Sequence, residues 1–191
     1  MSKPLYIFDF DDTLVFSGAA VHVTHGDGSQ ESLESHEFAT YKPKPGDEFD
    51  FSEFDVYPPD GQVIQKTFDV MQGVISSYGP DSVVVLSARG KAGPMKEFLQ
   101  DSGLTAPIEI IGVHSSDPVA KANFIDQKLS TGIFDDVYLY EDSMDNIDTI
   151  KTMIEKKYPN NKFTSHHVQA ESLLRKAVHN LLKEMLICFR K

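Results

Sequence analysis

Cysteine is almost absent from this chain: among 191 residues only Cys188 carries a thiol. A single thiol excludes an internal disulfide and any multi-thiolate metal site, and it suits a reducing compartment. Positive charge is scarce too, with 18 lysines and arginines against 29 aspartates and glutamates, giving a formal net charge of −11. Such a surface repels phosphate backbones at long range, which argues against a protein that coats nucleic acid through a basic face. Local basic clusters stay open, because charge acts through its distribution. No apolar run approaches the roughly 20 residues that span a bilayer. A secretory h-region has no room near the start, since Leu5–Phe8 runs directly into Asp9, Asp11 and Asp12. These absences predict a cytoplasmic protein with no membrane association. The rest of the composition is ordinary, with 40% hydrophobic and 25% charged residues and a length that suits one domain.

Five segments read as strands. Pro4–Phe10 is a continuous apolar run ending at carboxylates, and Ser82–Leu86 carries three consecutive valines, as a strand buried on both faces would. Ile108–Val113, Asp136–Tyr140 and the weaker Phe163–Val168 complete the set. Helical spacing covers Gln62–Ser77, Lys91–Gln100, Val119–Leu129 and Asn146–Lys157, with Pro94 and Pro118 near helix starts. Strands alternating with helices predict a doubly wound α/β fold, a parallel sheet covered on both faces, as a single domain over residues 1–191.

Residues 15–60 break the alternation as a small insertion after the first strand. Val21–Thr24 alternates and His25-Gly26-Asp27-Gly28 signals a turn, so a hairpin is expected, and Ser32–Tyr41 reads as a short helix. The insertion is expected to lie over the strand ends, the alternative being a surface loop without a role. Ala170–Lys191 reads as a last helix with a broad apolar face, docked on the chain's own sheet or, alternatively, on a second copy. The oligomeric state is not set by the sequence.

The chemistry gathers at strand ends. Asp9, Asp11 and Asp12 fall within four positions directly after the first strand. Two like charges about 4 Å apart repel by about 1 kcal/mol in water and about 4 at a partly buried site. In doubly wound sheets ligands bind at the carboxyl ends of strands, where strand order reverses. If the first and fourth strands flank that point, Glu141 and Asp142 meet Asp9 and Asp11, with Asp145 close behind. Convergent carboxylates call for a hard divalent cation, and magnesium suits a few carboxylates plus a substrate phosphate. Ser87, Arg89 and Gly90 end the second strand, and Lys121 opens the helix after the third. A hydroxyl, two cations and a metal would surround a phosphoryl group, which needs positioning and charge neutralisation above all. Arg89 reads equally well as a structural salt bridge, and Lys91 and Lys96 compete with Lys121. The seven histidines show no convincing ligand spacing and read as surface or structural groups.

Asp9-Phe10-Asp11-Asp12-Thr13 resembles the DxDxT signature of the haloacid dehalogenase-like (HAD) phosphohydrolases. Ser87 is similar to their second motif, Lys121 to the third and Glu141-Asp142 to the fourth, in the same order over roughly residues 4–157. The resemblance implies a Rossmann-like fold and roles residue by residue. Asp9 would be the nucleophile that takes up the phosphoryl group, and Asp11 the general acid and base. Asp9, the Asp11 carbonyl, Glu141 and Asp142 would hold Mg2+. Ser87 and Lys121 would hold the phosphoryl oxygens; beside them, Arg89 is the candidate substrate contact read from the residues alone, and Thr13 is expected to orient the loop by hydrogen bonds.

Only about twenty positions separate Lys121 from Glu141, so residues 15–60 are the sole candidate lid. Tyr41, Phe49, Phe51 and Phe54 form an aromatic wall for a base or sugar, or else a local core. The chain as a whole, notably Tyr41–Phe54, looks like small phage-encoded HAD proteins often linked to polynucleotide phosphatases. The resemblance therefore implies a phosphorylated substrate, a nucleotide or a nucleic-acid end. A sugar-phosphate phosphatase or phosphomutase, and a non-catalytic binding protein on the same fold, are the alternatives.

Overall fold

Five parallel strands form the central sheet of the computed structural model, which describes residues 3–38 and 41–168. They are β1 (Lys3–Phe8), β7 (Val83–Ser87), β8 (Glu109–Gly112), β9 (Phe134–Glu141) and β10 (Lys162–His167), in the order β10-β9-β1-β7-β8. The chain steps from β1 towards β7 and β8, then returns to the other side of β1 for β9 and β10. Strand order thus reverses beside β1, and the tips of β1 and β9 are neighbours in register, with Phe8 opposite Tyr140. The expected helix over Ala170–Lys191 lies outside the described residues, as does Cys188.

Side-chain alternation explains why both faces are covered. Leu5, Ile7, Val84, Leu86, Val137 and Leu139 point to one face. There they meet α4 (Pro118–Leu129) through Ala122, Ile125 and Leu129, and α5 (Met144–Lys157) through Ile147, Ile150 and Ile154. Phe8, Val83 and Val85 point the other way, onto Phe68 and Met71 of α2 (Gln65–Tyr78) and Met95, Phe98 and Leu99 of α3 (Ala92–Asp101). β7 is buried at every position, as its valine run requires. Each fully buried leucine or isoleucine contributes about 1.5–3 kcal/mol by its removal from water. Asp117 caps α4 by accepting a hydrogen bond from the Val119 amide at 2.9 Å, and Pro118 fits the first helical position.

The insertion is ordered and built of β-structure. A stem of β2 (Val15–Phe16) and β6 (Gln62–Val63) closes it, and β3 (Ala20–Thr24), β4 (Gln30–Glu34) and β5 (Glu48–Asp50) form its body as an antiparallel sheet in the order β4-β3-β5. The hairpin appears as the turn residues predict. The short helix does not follow its expected bounds: α1 covers only Ser35–Phe38, because Ser32 and Leu33 pair with His22 and Val21. The helix expected from Gln62 begins instead at Gln65, because Gln62 and Val63 are used by the stem.

Candidate active site

The backbone leaves β1 at Phe8 but stays tied to β9, the Asp9 amide donating to the Tyr140 carbonyl at 3.0 Å. It then folds back on itself. The amides of Leu14 and Val15 both donate to the Phe10 carbonyl, at 3.0 and 2.9 Å. Asp12 takes the left-handed conformation, at φ 57°, that Asp tolerates better than most residues. Phe10 is buried in the core beneath the loop, so Asp9 and Asp11 on either side of it face the cleft above.

Lys121, in the first turn of α4, reaches between the two strand tips. Its Nζ donates to Asp9 Oδ1 at 2.7 Å and to Glu141 Oε2 at 2.8 Å. Asp142 completes a group in which ligand oxygens of Asp9, Glu141 and Asp142 lie within 4.8 Å of one another, so the cluster is able to hold a metal ion. Three carboxylates thus share one ammonium. Burial, then repulsion by Glu141 and Asp11, outweighs the attraction of Lys121 and pushes Asp9 up to about 8. Burial and the charges of Asp9 and Glu141 push Asp142 up to about 9. Burial opposes the charge on Lys121, but Asp9 and Glu141 hold it above its ordinary value. The Asn146 amide donates to Glu141 Oε1 at 3.0 Å. Both Glu141 oxygens therefore already have partners, whereas among the described residues no hydrogen bond is formed to Asp9 Oδ2 or to the Asp142 carboxylate.

Asp11 is held differently. Arg89 grips it with both ends of its fork, Nε to Oδ2 at 2.8 Å and Nη2 to Oδ1 at 2.7 Å, and Ser17 Oγ donates to Oδ1 at 2.6 Å. The loop that carries Ser87 and Arg89 is sewn to the end of β8: the Val113, His114 and Ser115 amides donate to the Ser87, Arg89 and Ala88 carbonyls. Gly112 permits this, since a Cβ there would run into the Arg89 carbonyl oxygen. Ser87 is buried, and its Oγ accepts from the Arg89 amide at 3.2 Å.

All seven residues singled out from the sequence, Asp9, Asp11, Ser87, Arg89, Lys121, Glu141 and Asp142, line one cleft of about 820 Å³, joined by Asp145. Phe38, Tyr41, Phe51 and Phe54 of the insertion line the same space. Arg89 turns its guanidinium to Asp11, which is the salt-bridge alternative. Lys91 pairs with Asp55 at 3.3 Å on the surface, and Lys96 is exposed, leaving Lys121 alone in the acidic cluster. Thr13 corrects its expectation: the hydroxyl is fully buried and has no hydrogen-bond partner among the described residues. The aromatic stretch is chiefly a local cluster, with Phe38 edge-on to Phe49 and Phe51 at 5.5 and 5.2 Å, while Phe51 keeps 42% of its surface exposed. His114 lines the cleft, whereas four other described histidines serve structure. His22 and His25 bond within the insertion, His166 stacks on Tyr140 at 4.4 Å, and His167 meets the Asp142 carbonyl. Ser17 and Asn146 were not visible as site residues in the sequence. A second cavity of about 460 Å³ opens beside Lys3, Asp81, Glu109 and Lys128, but those charges pair with one another.

No family model, curated protein or solved structure matches this chain. The class defined by its own coordinates is an α/β protein with a five-stranded parallel sheet and an acidic, lysine-bearing cleft at the strand-order reversal. Among the described residues no helix is long and apolar enough to cross a membrane.

Proposed function

We propose that this chain is a metal-dependent phosphomonoester hydrolase of the HAD type, acting through an aspartyl-phosphate on Asp9. The observation that carries the reading is the convergence of Asp9, Lys121, Glu141 and Asp142 on one point at the tips of β1 and β9. The donor set fits the implied cation, being hard carboxylate oxygens with one carboxylate pair in excess of the available positive charge. Asp9 and Asp142 would hold Mg2+, with Glu141 shared between the ion and Lys121. When bound, Mg2+ would neutralise charge on the phosphoryl oxygens.

The chain's own groups supply the remaining chemistry. Asp9 Oδ2, which accepts no hydrogen bond among the described residues, attacks phosphorus, and the bond from phosphorus to the ester oxygen breaks. Asp11, whose two oxygens accept from the Arg89 fork, first takes up a proton from water and then gives it to that leaving oxygen. In the second half, Asp11 takes a proton from water, the water oxygen bonds to phosphorus, and the phosphorus–Asp9 oxygen bond breaks to release inorganic phosphate. Lys121 and Ser87 hold phosphoryl oxygens, and the charge of Lys121 reduces repulsion between Asp9 and the substrate dianion.

The aromatic lining of Phe38, Phe51 and Phe54 supports a nucleotide or polynucleotide end as the ester. A second reading has an observation of its own. Asp50, Asp55 and Asp145 also line the cleft, and they favour a small monophosphate, such as a sugar phosphate, over a chain bearing further phosphates. The test is hydrolysis of 4-nitrophenyl phosphate with Mg2+, followed by a panel of nucleotides, 3′- and 5′-phosphorylated oligonucleotides and sugar phosphates. Activity that is abolished in Asp9→Asn with the fold retained supports the mechanism. Persistent activity in that variant overturns it, and no turnover of any ester favours a binding protein.

A further inference from the structure

We infer that Arg89 is a positioning residue that couples the insertion to Asp11, setting the orientation of the acid/base group from the lid. The inference rests on the phosphatase reading above. Arg89 is only 2% exposed, and all three guanidinium nitrogens are committed. Nε and Nη2 bind the two oxygens of Asp11, while Nη1 donates to the carbonyls of Phe54 and Val56 at 2.8 and 3.3 Å. The rings of Phe10 and Phe54 lie 5.0 and 5.3 Å from its centre. The guanidinium is thus fixed in plane by hydrogen bonds and faced by aromatic rings, one of them from the insertion.

A planar fork transmits orientation in a way that a point charge does not. Because both Asp11 oxygens meet the fork, the carboxylate plane follows the guanidinium plane. Because Nη1 is anchored on the 3-10 turn Ser52–Asp55 and the residue after it, that plane follows the insertion. Ser17, near the other root of the insertion, grips Asp11 Oδ1 as well. Asp11 is therefore tied to the lid by two routes that enter from opposite ends of the same segment. Among the described residues Arg89 forms no hydrogen bond or ion pair with Asp9, and it acts on the reaction through Asp11.

The experiment uses a readout that general loss of structure does not move, the dependence on leaving group. An alkyl phosphate needs a proton delivered to its leaving oxygen, whereas 4-nitrophenolate leaves without one. In Arg89→Lys and Arg89→Gln, kcat/KM for glycerol phosphate should fall by about 100-fold or more, against less than about tenfold for 4-nitrophenyl phosphate, the imbalance expected when general acid catalysis is lost. Asp11→Asn should show the same imbalance, and adding Arg89→Lys to Asp11→Asn should cost little more. Equal losses on both esters, or a full Arg89→Lys loss in the Asp11→Asn background, would overturn the inference. If the wild-type protein turns over neither ester, the phosphatase reading fails instead. A second measurement needs no change at Arg89. Its Nε–H, shielded from solvent here, should exchange with water much faster in Asp11→Ala by NMR, and an unchanged rate would also overturn the inference.

Discussion

Replacing Asp142 by asparagine is expected to stabilise the protein when divalent ions are chelated. The carboxylate of Asp142 takes part in no hydrogen bond among the described residues, so the substitution breaks none. It does remove one of three carboxyl groups whose oxygens lie within 4.8 Å of one another and repel when all three ionise. At that separation and an effective dielectric near 20, each like-charged pair costs about 3.5 kcal/mol. Asp142 feels two such pairs, with Asp9 and Glu141, and the ammonium of Lys121 offsets about one of them. After relaxation the expected gain is about 1–3 kcal/mol, read from urea unfolding with EDTA present. The pH dependence has a definite sign. In the folded protein Asp142 is pushed up to about 9 from its ordinary 3.8, so the folded state keeps the proton over a range where the unfolded chain has lost it. Wild-type stability therefore declines between those two values, and the advantage of Asp142→Asn is absent at the acid end and grows towards the alkaline one. Magnesium should restore the wild type and help the variant much less. A variant less stable than wild type at pH 8 in EDTA would refute the idea that this cluster carries excess negative charge.

Two further outcomes follow from single groups. Thr13→Val keeps the shape of a buried side chain and removes a hydroxyl without a partner, so urea unfolding should show no loss and a gain of up to about 1 kcal/mol; a loss above that would mean the hydroxyl has a partner. The insertion should be pH-sensitive through His25 and Asp47, which are 2.8 Å apart. The hydrogen bond that His25 donates to Asp47 raises the His25 pKa, so its contribution is full below about 6.5 and lost as pH rises through the folded value. Tyr41, Lys44 and His25 donate to Asp47 and hold it down at about 2, so its contribution is present above about 4 and lost as pH falls towards that value. Amide protection at His25 and Gly28, relative to the unfolded chain, should be greatest between those limits, and His25→Ala should erase the alkaline arm and weaken the acid one.

The strand tips were legible because the physics there is local. A run such as Val83–Val85 admits few structures other than a strand buried on both faces, and carboxylates placed directly after Pro4–Phe10 end that burial. Parallel alternation then places Glu141 beside Asp9 without any knowledge of side chains. Partner choice was not legible. Arg89 could be read as a phosphate ligand or a salt bridge, and 78 positions of sequence separate it from Asp11. Ser17 and Asn146 lack any pattern that sets them apart from other polar residues. In the insertion, Ser32–Glu34 carries no strong β signal, and only pairing with β3 draws it into a sheet. Thr13 failed for a related reason: a threonine in a tight loop suggests a hydrogen bond, but whether an acceptor lies within reach depends on the packing around Phe10 and Leu14.

The decisive measurement is chemical trapping of the intermediate. Wild-type protein turning over 4-nitrophenyl phosphate with Mg2+ is quenched in acid and reduced with borohydride, which converts an aspartyl-phosphate to homoserine, and the peptides are mapped by mass spectrometry. The account predicts homoserine at position 9 alone, dependent on substrate and absent from Asp9→Asn. Turnover with no reduced residue, or with the label on Asp11, Glu141 or Asp142, would contradict it.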